Sequence, residues 1–203
     1  MELSPEATAE VERLVYRYGT PRRIRAAIDA SFDDPIRKPD RFGEVCMVIR
    51  RPNGTLLVSI KKFYPRGAYR LPTGGIHHGE KIGDALVREA HEETGLELEV
   101  MRFLAHITYV TSDDATPLFH TFAFLLEERG GTLGALDESE QIEDWREIVP
   151  EELANMARFL DDLRSDGKRG VGGSWRAWGN FRAVVHRVVH DALSDASAGG
   201  ARS

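Results

Sequence analysis

Between Gly74 and Leu96 the chain reads Gly-Gly-Ile-His-His-Gly-Glu-Lys-Ile-Gly-Asp-Ala-Leu-Val-Arg-Glu-Ala-His-Glu-Glu-Thr-Gly-Leu, and no other stretch restricts the fold so tightly. A glycine-rich loop carrying Glu80 leads into a segment whose apolar residues, Ile82, Ala85, Leu86 and Ala90, recur at helical spacing. Glu89, Glu92 and Glu93 are spaced three and four apart, so a helix gathers them on one side. Like charges that close repel, and the helix pattern alone gives no reason to collect them. A hard cation gives one, because Mg²⁺ and Mn²⁺ prefer oxygen ligands and cancel the repulsion. The bland alternative is a solvated acidic face, the usual fate of charged runs on helices. Here, however, the carboxylates flank the apolar stripe rather than oppose it.

The spacing carries more than charge. Gly74, five residues, Glu80, seven residues and then Arg88-Glu89-Ala90-His91-Glu92-Glu93-Thr94-Gly95-Leu96 resembles the signature box of the Nudix hydrolases. Ala90 stands where that family has a larger aliphatic residue, and Thr73, just before the box, where it commonly has glycine. The resemblance covers roughly residues 42 to 163. It implies an α+β fold of the α/β/α sandwich type, a mixed sheet between helices. Helical extensions then lie outside it, at 1–41 and at 164–203.

What the resemblance implies about chemistry is specific. Glutamates at the positions of Glu89 and Glu93 bind Mg²⁺ or Mn²⁺, Glu92 joins them, and the carbonyl of Thr73 is a further candidate ligand. Glu89, Arg88 and Glu92 are the catalytic candidates; Gly74, Gly75, Arg70 and Glu80 are the substrate-binding ones. The expected reaction is hydrolysis of a pyrophosphate bond in a nucleoside diphosphate linked to another moiety, or in a related organic pyrophosphate, by metal-activated water. The general base is either Glu89 or a glutamate beyond the box, with Glu138, Glu140 and Glu143 as candidates. Two readings compete: a binding or regulatory module without catalysis, and an isomerase of prenyl diphosphates. The first usually loses box glutamates, which this chain keeps. The second lacks a cysteine near the box, since Cys46 lies early in a strand. Pro117 lies 21 residues beyond Leu96, a poor fit to the downstream proline of ADP-ribose enzymes.

The residues also read on their own terms. Gly74, Gly75 and Gly79 allow tight turns and close approach to a ligand, and Gly95 sits where a helix needs a left-handed cap. Arg88 pairs with a glutamate one turn away and fixes carboxylate orientation. His77 and His78 are weighed against plain solvated loop histidines. Lys61, Lys62, Arg66 and Arg70 either hold distal phosphates or are exposed charges. Phe63, Tyr64 and Tyr69 either stack a nucleobase or cover the core.

At 203 residues and 41% hydrophobic composition the chain can bury one sizeable core. Its net charge of −6 argues against general nucleic-acid binding. The single cysteine excludes an internal disulfide, which makes a reducing cytoplasm the expected setting. The acidic N-terminus lacks the features of a signal peptide, and the longest apolar runs are too short to span a membrane. Ser4 and Pro5 open a first helix with Val11, Leu14, Val15 and Tyr18 inward, and Gly19 ends it. Thr20-Pro21 opens a second, with Ile24, Ala27 and Ile28 inward, before a linker at Asp33–Pro39. Strands are expected at Glu44–Arg50, Thr55–Phe63, Leu98–Thr111, Leu118–Glu128 and Trp145–Val149, and a helix at Pro150–Leu163. A loop over Ser165–Gly173 precedes a helical stripe from Phe181 to Leu193 and a disordered tail from Ala196. The apolar faces of the extensions need a partner, either the core or a second copy in a homodimer.

Overall fold

The apolar run Val45–Ile49 shows no polar alternation, so a strand built from it needs cover on both faces. The computed structural model, which describes residues 2–28, 36, 38–111, 116–164 and 174–200, supplies that cover. In chain order its elements are α1 (Pro5–Tyr18), β1 (Arg22–Ile28), β2 (Arg41–Arg50), β3 (Leu56–Lys61), β4 (Thr73–His77) and α2 (Ile82–Thr94). There follow β5 (Leu96–Thr111), β6 (Pro117–Gly131), a 3₁₀ turn (Glu138–Glu140), β7 (Ile142–Ile148), α3 (Glu152–Asp161) and α4 (Trp175–Gly200).

Among the described residues seven strands form one mixed sheet, in the order β1-β5-β6-β2-β3-β7, with β4 also paired to β2. β2 is central. It runs parallel to β6, pairs with β4 along its first half, and meets β3 at Arg50 and Leu56. Side chains alternate across it. Val45, Met47 and Ile49 pack with residues of α1 and α2, while Cys46 and Val48 pack with those of α3 and α4. The result is the expected sandwich, a mixed sheet between two helical layers.

Helix α1 begins as the sequence predicts, with the Ser4 hydroxyl accepting from the Ala7 N–H at 3.1 Å and Pro5 in the first turn. It also reaches across to α2. The buried Glu10 carboxylate accepts the N–H groups of Ile82 and Gly83, both at 3.0 Å, at the head of a helix whose own N-cap, Lys81, makes no side-chain bond. One helix thus caps another and fixes where the acidic segment starts.

Three expectations are corrected. The second N-terminal helix is strand β1, parallel to β5 from Arg22↔Ala105 to Ile28↔Thr111. Its burial has period two, with Ile24, Ala26 and Ile28 inward and Ala27 exposed, because the open edge of β5 offers a ladder that outweighs helix propensity. Gly74 and Gly75 are not in a loop but in β4, paired with Val45 and Glu44. The small-residue tail continues α4 as far as Gly200. The linker residues Asp33–Pro35 and the loop expected at Ser165–Gly173 lie outside the described residues.

The apolar stripe of α4 has its partner in this chain. Trp175, Trp178 and Phe181 are each 1% exposed and join the core beneath the sheet.

Candidate active site

Helix α2 ends at Gly95, whose φ of +64° is the left-handed cap the sequence predicts, its N–H bonded to the His91 carbonyl at 2.9 Å. The helix therefore holds Glu89 and Glu93 rigidly on its sheet-facing side. Glu89 lies against β4 at Gly74. A Cβ there would stand 2.1 Å from the Glu89 carboxyl carbon, so only glycine leaves room for that side chain. Glycine at 74 serves close approach, not turning.

Glu140 completes the group from the other direction. Ligand oxygens of Glu89, Glu93 and Glu140 all lie within 4.8 Å of one another. Two backbone irregularities bring Glu140 there. The β3–β7 register shifts between Ile60 and Lys61, leaving Glu143 as an extra residue on β7, and Gln141, directly after the 3₁₀ turn, adopts φ +53°. Lys61 then reaches Glu140 at 2.7 Å and Glu93 at 3.8 Å.

The electrostatics follow from burial. Glu93 is 1% exposed, and neither of its oxygens has a hydrogen-bond partner among the described residues. Burial pushes its carboxyl up to about 8, against the pull of Arg70 and Lys61. Burial also raises Glu89, while the Arg88 hydrogen bond opposes it. For Glu140 burial acts upward too, but the Lys61 ammonium outweighs it and the net shift is downward. A buried carboxylate with no donor, beside two more, is a donor set awaiting a cation.

Arg88 is the hub that sets these side chains. Its guanidinium donates to Glu80 at 2.8 and 2.9 Å, to Glu89 at 2.8 Å, to Glu92 at 3.2 Å and to the Gly75 carbonyl at 3.0 Å. Glu80 also accepts the His77 N–H at 3.0 Å, so it anchors Arg88 to the loop. Glu92 stands at the rim on Arg88, outside the three-carboxylate group. His77 and His78 are exposed, as are Lys62 and Arg66, whereas Lys61 and Arg70 turn inward. Tyr64 is buried against Trp178, and Phe63 is 39% exposed. Of the three glutamates beyond the box, Glu140 faces the group and Glu143 is exposed; the side chain of Glu138 lies outside the described residues. A surface groove of about 1040 Å³ runs between α1 and α2 and includes none of the three clustered carboxylates.

Sequence reasoning did not find the Lys61–Glu140 pair or the polar side chains of α4. The hydrogen-bonding face of α4, Arg182 and His186, was legible only as polar residues four apart beside an apolar stripe.

Fold and site together define a helix–sheet–helix sandwich with a carboxylate helix behind a glycine strand. Residues 40–166 match the family model described as NUDIX domain, and the chain belongs to that family. An ADP-ribose pyrophosphatase of Methanocaldococcus jannaschii is 35% identical over 98 residues, which is 47% of this chain and 56% of that protein. Nudix hydrolase 2 of Arabidopsis thaliana is 28% identical over 145 residues, covering 67% of this chain and 51% of that protein. The chain thus spans about half the length of these curated relatives. The solution structure of the E. coli ORF135 protein is 23% identical, with a TM-score of 0.44 over 57% of this chain and 79% of that one.

Proposed function

We propose that this chain is a divalent-metal-dependent hydrolase of a pyrophosphate bond, acting on a nucleoside diphosphate linked to another moiety or on a related organic pyrophosphate. One observation carries the reading: the buried Glu93 carboxylate, with no hydrogen-bond partner among the described residues and Lys61 no nearer than 3.8 Å, stands beside those of Glu89 and Glu140. Burying such a group is expensive unless a cation meets it. Three carboxylates with no thiolate or imidazole among them suit Mg²⁺ or Mn²⁺ rather than a softer metal. Glu89, Glu93 and Glu140 would hold the ion, with Glu92 one helical turn away able to join.

When bound, the ion neutralises diphosphate oxygens and acidifies a water. The remaining work falls to the chain's own residues. Arg88 fixes the Glu89 carboxylate in one orientation and is itself held by Glu80 and the Gly75 carbonyl. Gly74 keeps the space in which Glu89 sits. Arg70, inward and cationic, binds a phosphate oxygen. The proton of the attacking water goes to Glu89 or Glu140, the two carboxylates that reach the centre from different elements. The catalytic unit proposed is residues 42–163, with 1–41 and 164–203 as extensions outside it.

Relatives named ADP-ribose pyrophosphatase and Nudix hydrolase support anhydride cleavage as the class. The position of Pro117 argues against carrying ADP-ribose over as the substrate. The test is a panel of nucleoside triphosphates, nucleotide sugars and dinucleoside polyphosphates with Mg²⁺ and Mn²⁺, run on wild type and Glu93→Gln. The variant is expected to lose at least about 100-fold in turnover. Unchanged turnover in Glu93→Gln would sink the reading; no turnover of any compound by wild type would favour a binding module.

A further inference from the structure

A cavity of about 130 Å³ opens beside the carboxylate group, and Lys61 and Gly74, which touch that group, also line the cavity. Five cationic side chains reach its wall, Lys38, Arg41, Lys61, Arg70 and Arg182, against the single carboxylate of Glu44. Glu44 is answered by Arg182, whose terminal nitrogen lies 2.8 Å from both carboxylate oxygens. Arg41 pairs with Asp40 and Lys61 with Glu140. Arg70 is different. It is 2% exposed, and its hydrogen bonds go to neutral acceptors: the Tyr64 hydroxyl at 3.0 Å, the Leu71 carbonyl at 2.8 Å and the Thr73 hydroxyl at 3.2 Å.

Arg70 feels Glu93 through space without a hydrogen bond between them. Tyr64 and Glu44 act on Arg70 in the same direction, but Glu44 is shared with Arg182, so a cation on Glu93 removes part of the compensation of a buried guanidinium at the cavity wall, which is costly. Arg182, on the same wall and 5% exposed, carries a buried Nε with no partner among the described residues. Excess positive charge and an unanswered donor point to an anion. Size then selects which. Pockets for drug-sized ligands start at roughly 300 Å³, so about 130 Å³ is too small for a nucleoside and suits a single phosphoryl group. Tyr64 packs its ring on Trp178 at 4.6 Å, and Phe63, 39% exposed, stands at the cavity's edge.

We infer that this cavity is the subsite for a phosphoryl group beyond the diphosphate being cleaved, so that preferred substrates carry at least three phosphates in a row. The inference rests on the hydrolase reading and narrows its substrate class. Trp178 and Arg182 reach the cavity from α4, outside the matched residues 40–166, while Arg41, Lys61 and Arg70 reach it from within them.

Lys38 is exposed and Arg41 only half-buried, so they can be changed without emptying the core. Calorimetric titration of the full chain with inorganic tripolyphosphate and with inorganic pyrophosphate, in EDTA and again in Mg²⁺ with phosphate release assayed alongside, reads the subsite apart from turnover. Tripolyphosphate should bind about tenfold tighter than pyrophosphate. In Lys38→Ala/Arg41→Ala that preference should fall below about threefold, with Lys38→Ala alone giving an intermediate loss should the double variant be unstable. Equal affinity for the two anions in wild type, or a preference both variants retain, overturns the inference. Failure of the hydrolase reading shows elsewhere, in the turnover of Glu93→Gln, and leaves the anion preference readable.

Discussion

Helices α2 and α4 face the sheet from opposite sides, and both bury charged or polar side chains, yet they treat them in opposite ways. On α4, Arg182 meets Glu44, which also accepts from the Thr121 hydroxyl at 2.9 Å, and His186 accepts the Leu71 N–H at 3.1 Å. Burial keeps His186 neutral, with its pKa lowered to about 4, so that ring nitrogen remains an acceptor. On α2, by contrast, Glu93 is buried with no hydrogen-bond donor among the described residues, Lys61 standing 3.8 Å away, and Glu89 accepts from Arg88. The contrast lies in the carboxylates: Glu44, hydrogen-bonded by Arg182 and Thr121, holds the fold together, whereas Glu93, with no hydrogen bond among the described residues, marks where a ligand is to supply the missing partner.

The sharpest way to break this contrast is to remove one charge from each helix. Arg182→Met strands the Glu44 carboxylate and should cost about 3–5 kcal/mol of unfolding free energy in denaturant titrations. Glu93→Gln, on the same measurement in EDTA, should leave stability unchanged or raise it. A loss of similar size from both would end the distinction.

Next in size is Arg88→Lys, which keeps the charge but loses the fork that reaches Glu80, Glu89 and Gly75 together. Turnover should fall about 10- to 100-fold with KM little changed, as for a residue that orients others. A rise in KM at constant kcat would instead assign Arg88 to substrate binding.

A third prediction concerns pH. In the metal-free protein Glu93 holds its proton up to about 8, well above the 4.5 of an ordinary glutamate. Between those values the folded chain binds more protons than the unfolded one, so stability falls as pH rises. At about 1.4 kcal/mol per pH unit the loss should be on the order of 5 kcal/mol across that window. Saturating Mg²⁺ should reverse it, and Glu93→Gln should flatten it; a slope unchanged in that variant would place the titration elsewhere.

Smallest is the cap. Glu10→Ala frees the Ile82 and Gly83 amides and should cost about 1 kcal/mol, with faster hydrogen exchange at those two positions.

The readable part of the molecule was the part with local rules. Helical spacing placed Glu89 and Glu93 together, Gly95 announced its own cap, and apolar runs located β2, β5 and β6. What escaped depended on distant partners. Segment 22–28 became a strand because β5 offered an open edge, which no local propensity encodes. The choice of Glu140 over Glu143 turned on the register shift that leaves Glu143 unpaired on β7 and on the backbone of Gln141. Arg182 and His186 resembled the polar flank of an amphipathic helix, and only the long-range pairings to Glu44 and Leu71 gave them a purpose.

Cys46, the chain's one cysteine, lies in the middle strand with Thr73 on one side and Ala123 on the other. Its thiol is fully shielded, and burial drives its pKa far above the ordinary range. An alkylating reagent therefore finds nothing to attack until the sheet itself parts. Labelling of that sulfur serves as a clock for whole-molecule opening, built into the wild-type chain and readable by mass alone.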